Sequence, residues 1–570
     1  MRTSFVAWLC NWVQSRLRFA QPYKNYYYRN LFESEPVPEI TRSQPDLSAN
    51  IKRKLFWLIV IATSVRLFLA SQVELANDEV YYWTYALFPD LSHFDHPPMV
   101  GVLAQLSSLD LFLKDDFFLR FGSIILSAIN TWTIFSIGRK VKNELTGFYA
   151  ALLYTSSIYC SIISGFSLSP DAPQVFFWLL CLKLMIDVLP EEVITNGHRG
   201  KMILIGVMAG LAMLSKYHSV FIWVGILLFV IFKNRKWLMD YSLYLSGIIS
   251  LVVLLPLLIW NFREHFISFT FHGDRVAPAL EIRPDYFLTE IVGQFAYNNP
   301  LNVILIVTAL VALWKGKDFI GSRFKWILLF NSIPLWLLFT GFSIFRSTLP
   351  HWSGPAFISL IILTAAYWAE RIGNKEERIE SKVMPLRIVF PSYFLGALLL
   401  PALYIINYSP FQLGKKSDLT SFGEYDFTQD MYGYDQVHEA FATIASREET
   451  AGNMPLGSGL VSNKWFPAAH LDYYCAWPEN RKLFAIGSLN EIHKYAWINQ
   501  QRGGLQKGSD YYHIAVSNSY KDPNEAFGNY FEKVEPMDTL EITRAGEVMR
   551  YAFFYRLKNY QGNFEDPLSR

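Results

Sequence analysis

The sequence predicts a polytopic α-helical membrane protein that ends in a soluble α/β domain. Its 570 residues are 52% hydrophobic and 16% aromatic but only 18% charged, which is too apolar for an ordinary soluble enzyme. Apolar runs of about membrane length recur as far as residue 406. Between them, Lys and Arg gather on alternate loops, as they do on the cytoplasmic side of a multi-pass chain.

The runs lie at 54–71, 118–138, 146–165, 173–188, 202–215, 218–232, 241–260, 300–314, 326–342, 356–370 and 386–406, about eleven spans in all. Starting inside with Lys52, Arg53 and Lys54, this count puts every later basic cluster on the same side. Those clusters are Arg139/Lys140/Lys142, Arg199/Lys201, Lys233/Arg235/Lys236, Lys315/Lys317/Arg323/Lys325 and Arg371/Lys375/Arg378/Lys382/Arg387. The run 97–113 opens on Pro97-Pro98 and carries Gln105, Ser107, Ser108 and Asp110. It is read as a helix lying at the interface, because a crossing there would turn every basic cluster outward. Loops 72–117, 166–172, 261–299 and 343–355 and the tail from 407 then face outward, to the periplasm of a bacterial inner membrane.

Residues 1–53 form a cytoplasmic segment in which Arg2, Arg16, Arg18 and Lys24 alternate with Phe5, Trp8, Leu9, Trp12, Val13, Leu17 and Tyr23. That spacing suits an amphipathic helix on the membrane surface and not a signal peptide, since the apolar core is short and broken. The transmembrane domain is expected over 54–406. The tail 407–570 is long enough for one domain, with helices expected at 435–448 and 463–475 and strands at 511–517 and 549–557.

A net charge of +2 without a clustered basic face argues against a nucleic-acid partner. The four cysteines, Cys10, Cys160, Cys181 and Cys475, are far apart and form no metal-ligand spacing.

Chemistry concentrates in the outer loops. The first reads Asn77-Asp78-Glu79-Val80-Tyr81-Tyr82-Trp83 and then His93-Phe94-Asp95-His96-Pro97-Pro98. A carboxylate held against aromatic surface at the membrane boundary becomes more basic and can take a proton from a hydroxyl. Taken alone, Asp78 and Glu79 are more simply read as the solvated first turn of a helix. Asp171, in Ser169-Pro170-Asp171-Ala172-Pro173, lies at the same face. Two carboxylates converging from separate loops are what a cationic transition state or a divalent cation requires, although a helix cap before Pro173 explains Asp171 alone.

Basic residues follow at the same face: Lys216 between two short apolar segments, Arg263, His265, His272 and Arg275 after the span 241–260, and Arg346, His351 and Trp352 in the last outer loop. A lone intramembrane cation is costly and is read as functional. Cations can neutralise a lipid phosphate while aromatic faces line a sugar path. Snorkelling side chains within an aromatic belt are the plainer explanation.

The ordered blocks NDEVYYW, FDHPPM, SPDAPQVFFW, GLAMLSKYHSV, WNFREHFISFTFHGDR and LPHWSGPAF, spread over about 54–370, resemble the bacterial branch of the dolichyl-phosphate-mannose protein mannosyltransferase-like family, which includes lipid A aminoarabinose transferases. The resemblance implies a GT-C fold, a polyprenyl-phosphate-linked sugar donor and a periplasmic lipid, glycan or protein acceptor. It matches Asp78 to the first-loop catalytic Asp, Glu79 to its acidic partner and Asp171 to the second-loop Asp. Lys216, Arg263, Arg275 and Arg346 are then expected at the donor phosphate, and Tyr82, Asp95, His96, His265, His272, His351 and Trp352 around the substrates. His351 departs from the pattern, since relatives often carry Asn before this Trp. The expected activity is inverting sugar transfer. The rival is a secondary transporter or lipid-carrier flippase, which the acidic outer loops and the long outer tail disfavour.

Overall fold

A computed structural model describes residues 44–276, 281–373 and 385–569, with side chains described over 48–273, 281–372 and 385–569. The expected amphipathic segment lies almost wholly outside them, and from Ser48 onward the chain forms one compact unit.

Each apolar run falls on a helix or on a broken pair of helices. By length and composition, four helices among the described residues can cross a membrane: Asp116–Val141, Ser322–Phe342, Pro350–Ile372 and Leu386–Tyr408. Two bent pairs raise the number to six, Tyr241–Val253 with Leu255–Arg263 and Pro284–Tyr297 with Pro300–Trp314, which turn by 45° and 99° at their breaks. Among the described residues the chain is therefore a helical membrane protein with four to six candidate spans by length and composition. Of the other runs, 54–71, 173–188 and 202–215 each fall on one unbroken helix, whereas two are divided. Glu144–Ser156 gives way to a wide-turn helix at Tyr159–Ile163, and a 3₁₀ turn at Tyr217–Val220 precedes Phe221–Phe232.

Local chemistry sets several of these boundaries. Asp115, Asn143 and Asp240 accept hydrogen bonds from the first-turn amides of Phe117, Thr146 and Ser242, which satisfies donors that a helix start leaves open. Residues Pro350–Ile372 are nearly wholly enclosed, whereas Leu386–Tyr408 is peripheral and turns Phe390, Tyr393, Leu398, Leu400 and Tyr404 outward. An apolar exposed stripe of this kind matches hydrocarbon. The segment 97–113 forms a ten-residue helix, Met99–Ser108, only about 15 Å long and too short to cross.

The last part of the chain carries a five-stranded mixed sheet in the order β2-β1-β3-β5-β4, with β1 Leu460–Ser462, β2 Leu483–Ala485, β3 Tyr511–Val516, β4 Phe531–Arg544 and β5 Glu547–Tyr560. The first three run parallel and the β3-β5-β4 edge is antiparallel. Helices stand at Tyr434–Thr450 and Trp465–His470, the latter prolonged by a wide turn over Leu471–Ala476.

This region grips the first outer loop. Glu74 accepts from the backbone amides of Gly433 and Tyr434 at 3.0 and 2.9 Å, at the start of the helix Tyr434–Thr450. Tyr473 and Tyr474 each donate to Asp116 at 2.7 Å. Lys494 is buried and donates to the carbonyls of Thr84 and Phe88 at 3.1 and 2.7 Å, which closes the C-terminal end of the helix Asn77–Leu87.

Candidate active site

The site forms where the helix Asn77–Leu87 meets the starts of Asp171–Val188 and Tyr217–Val220. Asp78 and Glu79 are adjacent in sequence and have opposite surroundings. Glu79 is 1% exposed and fully engaged: Arg120 donates to both its oxygens at 2.8 and 2.6 Å, and the amides of Leu168 and Ala76 donate at 3.0 and 2.9 Å. It anchors three segments, with both oxygens engaged by protein donors.

Asp78 is open to solvent, yet protein surrounds it closely enough to change its basicity. Partial desolvation, then the charge of Asp95, push its carboxyl up to about 6 against the opposing pull of Lys216. Asp430, from the C-terminal region, also faces Asp78 and accepts a hydrogen bond from Asn77.

Asp95 is buried beneath the hydroxyls of Tyr81 and Tyr85 at 2.8 and 2.5 Å. Its backbone carbonyl accepts from His272 Nε2 at 2.7 Å. Gly101 lets Met99–Ser108 approach this helix, since a Cβ there would lie 2.8 Å from Tyr85 Cβ.

Asp171 is 2% exposed and paired with Lys216 at 2.7 Å, while Tyr159 donates to its other oxygen at 2.9 Å. Lys216 stands where the helix Asn196–Ser215 ends and its own backbone is extended, so the side chain turns toward Asp171. Gly354 makes room for the Tyr159 ring, against which any Cβ would collide.

The remaining expected residues divide. Tyr82 lies within electrostatic reach of Asp78, Asp95 and Asp171, and His96 faces Asp95, Lys216, His272 and Asp171. His351 faces Lys216 and Asp171. Trp352 packs against Phe339 with ring centroids 5.6 Å apart, and Arg346 is half-buried in the same loop. Arg263 and His265 are exposed, and no contact among the described residues ties either to the cluster. Arg275 lies in the helix Ile267–Val276, outside the described side chains. Among the described residues no three His, Cys, Asp or Glu are arranged to hold a metal ion, and the Lys216 ammonium fills the place beside Asp171 that a cation would take.

Sequence reasoning missed Arg120, Tyr159 and Asp430. Arg120 carried a readable signal, a charge inside the apolar run 118–138. The others declare themselves only through contacts made across the fold.

Residues 95–260 match the family described as dolichyl-phosphate-mannose-protein mannosyltransferase. A curated relative, the lipid A galacturonosyltransferase RgtD of Rhizobium johnstonii, is 24% identical over 333 residues, 56% of this chain and 67% of its own. The fold is that of ArnT from Cupriavidus metallidurans, solved in the apo state and bound to undecaprenyl phosphate. The TM-scores are 0.55 and 0.56 at 13% and 14% identity, over 88% of this chain and 98% and 97% of those chains. The archaeal oligosaccharyltransferase AglB from Archaeoglobus fulgidus, in complex with an inhibitory peptide and a dolichol-phosphate, aligns at a TM-score of 0.50 and 14% identity over 81% of this chain and 69% of that one. The motif blocks and the matched segment make the chain similar to this family of lipid-linked-donor glycosyltransferases, and its fold is shared with ArnT.

Proposed function

We propose that the chain transfers one sugar from a polyprenyl-phosphate-linked donor to a hydroxyl or phosphate of a periplasmic acceptor, with inversion at the anomeric carbon. A lipid of the lipid A class is the acceptor favoured by the likeness to RgtD, and the undecaprenyl phosphate bound to ArnT favours that carrier. The observation that carries the chemistry is the setting of Asp78, accessible to solvent with its carboxyl raised to about 6. A base near that value is mostly ionised at neutral pH and still basic enough to assist a hydroxyl.

Asp78 takes the acceptor proton as the acceptor oxygen bonds to the anomeric carbon. The bond from that carbon to the phosphate oxygen breaks, and the polyprenyl phosphate leaves with the electron pair. Lys216 and Arg346 stabilise the leaving phosphate, and Asp171 with Tyr159 fixes the Lys216 ammonium. Tyr82, His96, His272 and His351 line the sugar, with Asp95 orienting the first of these walls through Tyr81 and Tyr85.

The accompanying topology is an inner-membrane protein of eleven passes, with residues 1–53 in the cytoplasm and both 72–117 and 407–570 in the periplasm. Two things support it: the one-sided basic clusters and the contacts that bind the first loop to the tail. Sugar transfer in membranes matched for protein amount tests the reaction. Asp78→Asn should lose about 10²–10⁴-fold in rate, and near-normal turnover would remove the base from the mechanism.

A further inference from the structure

A second cleft opens in the C-terminal region, apart from the carboxylates described above. Its volume is about 490 Å³, within the range of small-ligand sites. Its position follows from the sheet. The parallel strands stand in the order β2-β1-β3, so the chain leaves β1 toward one side for β2 and returns past β1 to reach β3. The carboxyl ends of β1 and β3 therefore diverge, and in open α/β sheets that divergence is where ligands settle. Asn463 follows β1 directly, Ile486 to Ser488 follow β2, and Lys521 comes shortly after β3; all of them line the cleft.

The lining chemistry narrows the ligand. Glu491, Glu525 and Glu565 face one lining ammonium, Lys521, and Lys464 adds a second cation near Glu491. Carboxylates remain in excess, and no glycine-rich phosphate loop follows β1, whose exit reads Asn463-Lys464-Trp465. Nucleotides and other phosphates are disfavoured on both counts. Asn463, Asn529 and the glutamates instead offer the donor and acceptor pairs that vicinal hydroxyls satisfy. Tyr530 and Phe564, packed edge to face at 5.8 Å, supply an apolar wall for a pyranose face.

We propose that this cleft is a carbohydrate-binding site for one or two neutral or amino-bearing sugar units, separate from the catalytic centre. Its occupancy does not depend on the reaction assigned to Asp78.

The test uses the full chain in nanodiscs and ligand-observed saturation-transfer NMR with free galactose, glucosamine and galacturonic acid as probes. Galactose and glucosamine should give saturable signals, and galacturonic acid should bind at least several-fold more weakly. Glu525 and Asn529 are exposed, so Glu525→Lys and Asn529→Ala should keep the melting temperature while weakening binding fivefold or more. Asp78→Asn should leave binding unchanged. Three results would overturn the proposal: no saturable signal from either favoured sugar, signals indifferent to both cleft substitutions, or loss of signal in Asp78→Asn. Tighter binding of galacturonic acid would overturn the charge argument and the ligand class with it.

Discussion

Asp78 and Asp171 are the same residue type in two separate segments, and the fold treats them oppositely. Asp171 is enclosed, ion-paired to Lys216 and held by Tyr159, so it serves as the fixed counter-charge of a cation. Asp78 is open, and partial desolvation, then the charge of Asp95, with a smaller push from Asp430, raise its carboxyl to about 6. In the proposed mechanism, environment sorts these two carboxylates into a structural anion and a base, as paired acids are sorted in other enzymes. Glu79 sharpens the lesson. It lies one residue from Asp78, yet Arg120 and two backbone amides consume its acceptor capacity.

Four outcomes would break or sharpen this contrast. The largest falls on turnover: Asp78→Asn should be nearly inactive but folded, whereas Asp171→Asn should retain measurable transfer, both read in the same membrane assay. Equal losses would erase the distinction.

Next comes the buried Arg120–Glu79 pair. Arg120→Met leaves Glu79 charged and enclosed, which costs about 3–5 kcal/mol, and should appear as a sharp drop in melting temperature and membrane yield. Arg120→Met with Glu79→Leu should recover much of that loss, because a buried pair can be replaced by apolar packing.

The third concerns the cation. Lys216→Ala should raise the apparent KM for the lipid-linked donor and also lower stability by stranding Asp171. Adding Asp171→Asn should restore stability but not donor affinity. Recovery of both would make Lys216 a purely structural partner.

The smallest outcome lies at the clamp between the tail and the first loop. Lys494→Met removes the donor to Thr84 and Phe88, at a cost of about 1–3 kcal/mol for carbonyls left short of a partner. Burial already holds the Lys494 ammonium well below its usual range, so removing its charge offsets part of that cost.

Much of this was legible in the sequence because hydropathy and loop charge are local signals. They found helix at every expected run and singled out Asp78, Asp95, Asp171 and Lys216, which the fold brings together. The break at Leu254 leaves no gap in hydropathy and went unread, and 284–297, read as part of a loop, is helical. In the tail, the helix Tyr434–Thr450 and β3 were readable from periodicity. The three-residue strands β1 and β2 were too short to read, and β4 alternates mostly exposed residues interrupted by register shifts at Pro536/Asp538 and Ile542/Thr543. The site's supporting residues were hidden for another reason. Lys494 meets the first loop across about 400 positions, and no local pattern in the chain announces such a pairing.

The pH dependence of kcat/KM for transfer tests the central claim most directly, since it reads the ionisation of the free enzyme's base. Asp78 must be deprotonated to act, so the rate should be full above about pH 7. It should fall as pH drops through the value near 6 to which burial and Asp95 raise this carboxyl. Asp430→Asn removes one of the charges that raise it and should move the acidic limb to lower pH. A wild-type profile that stays flat down to pH 4.5 would contradict the assignment of Asp78 as the base.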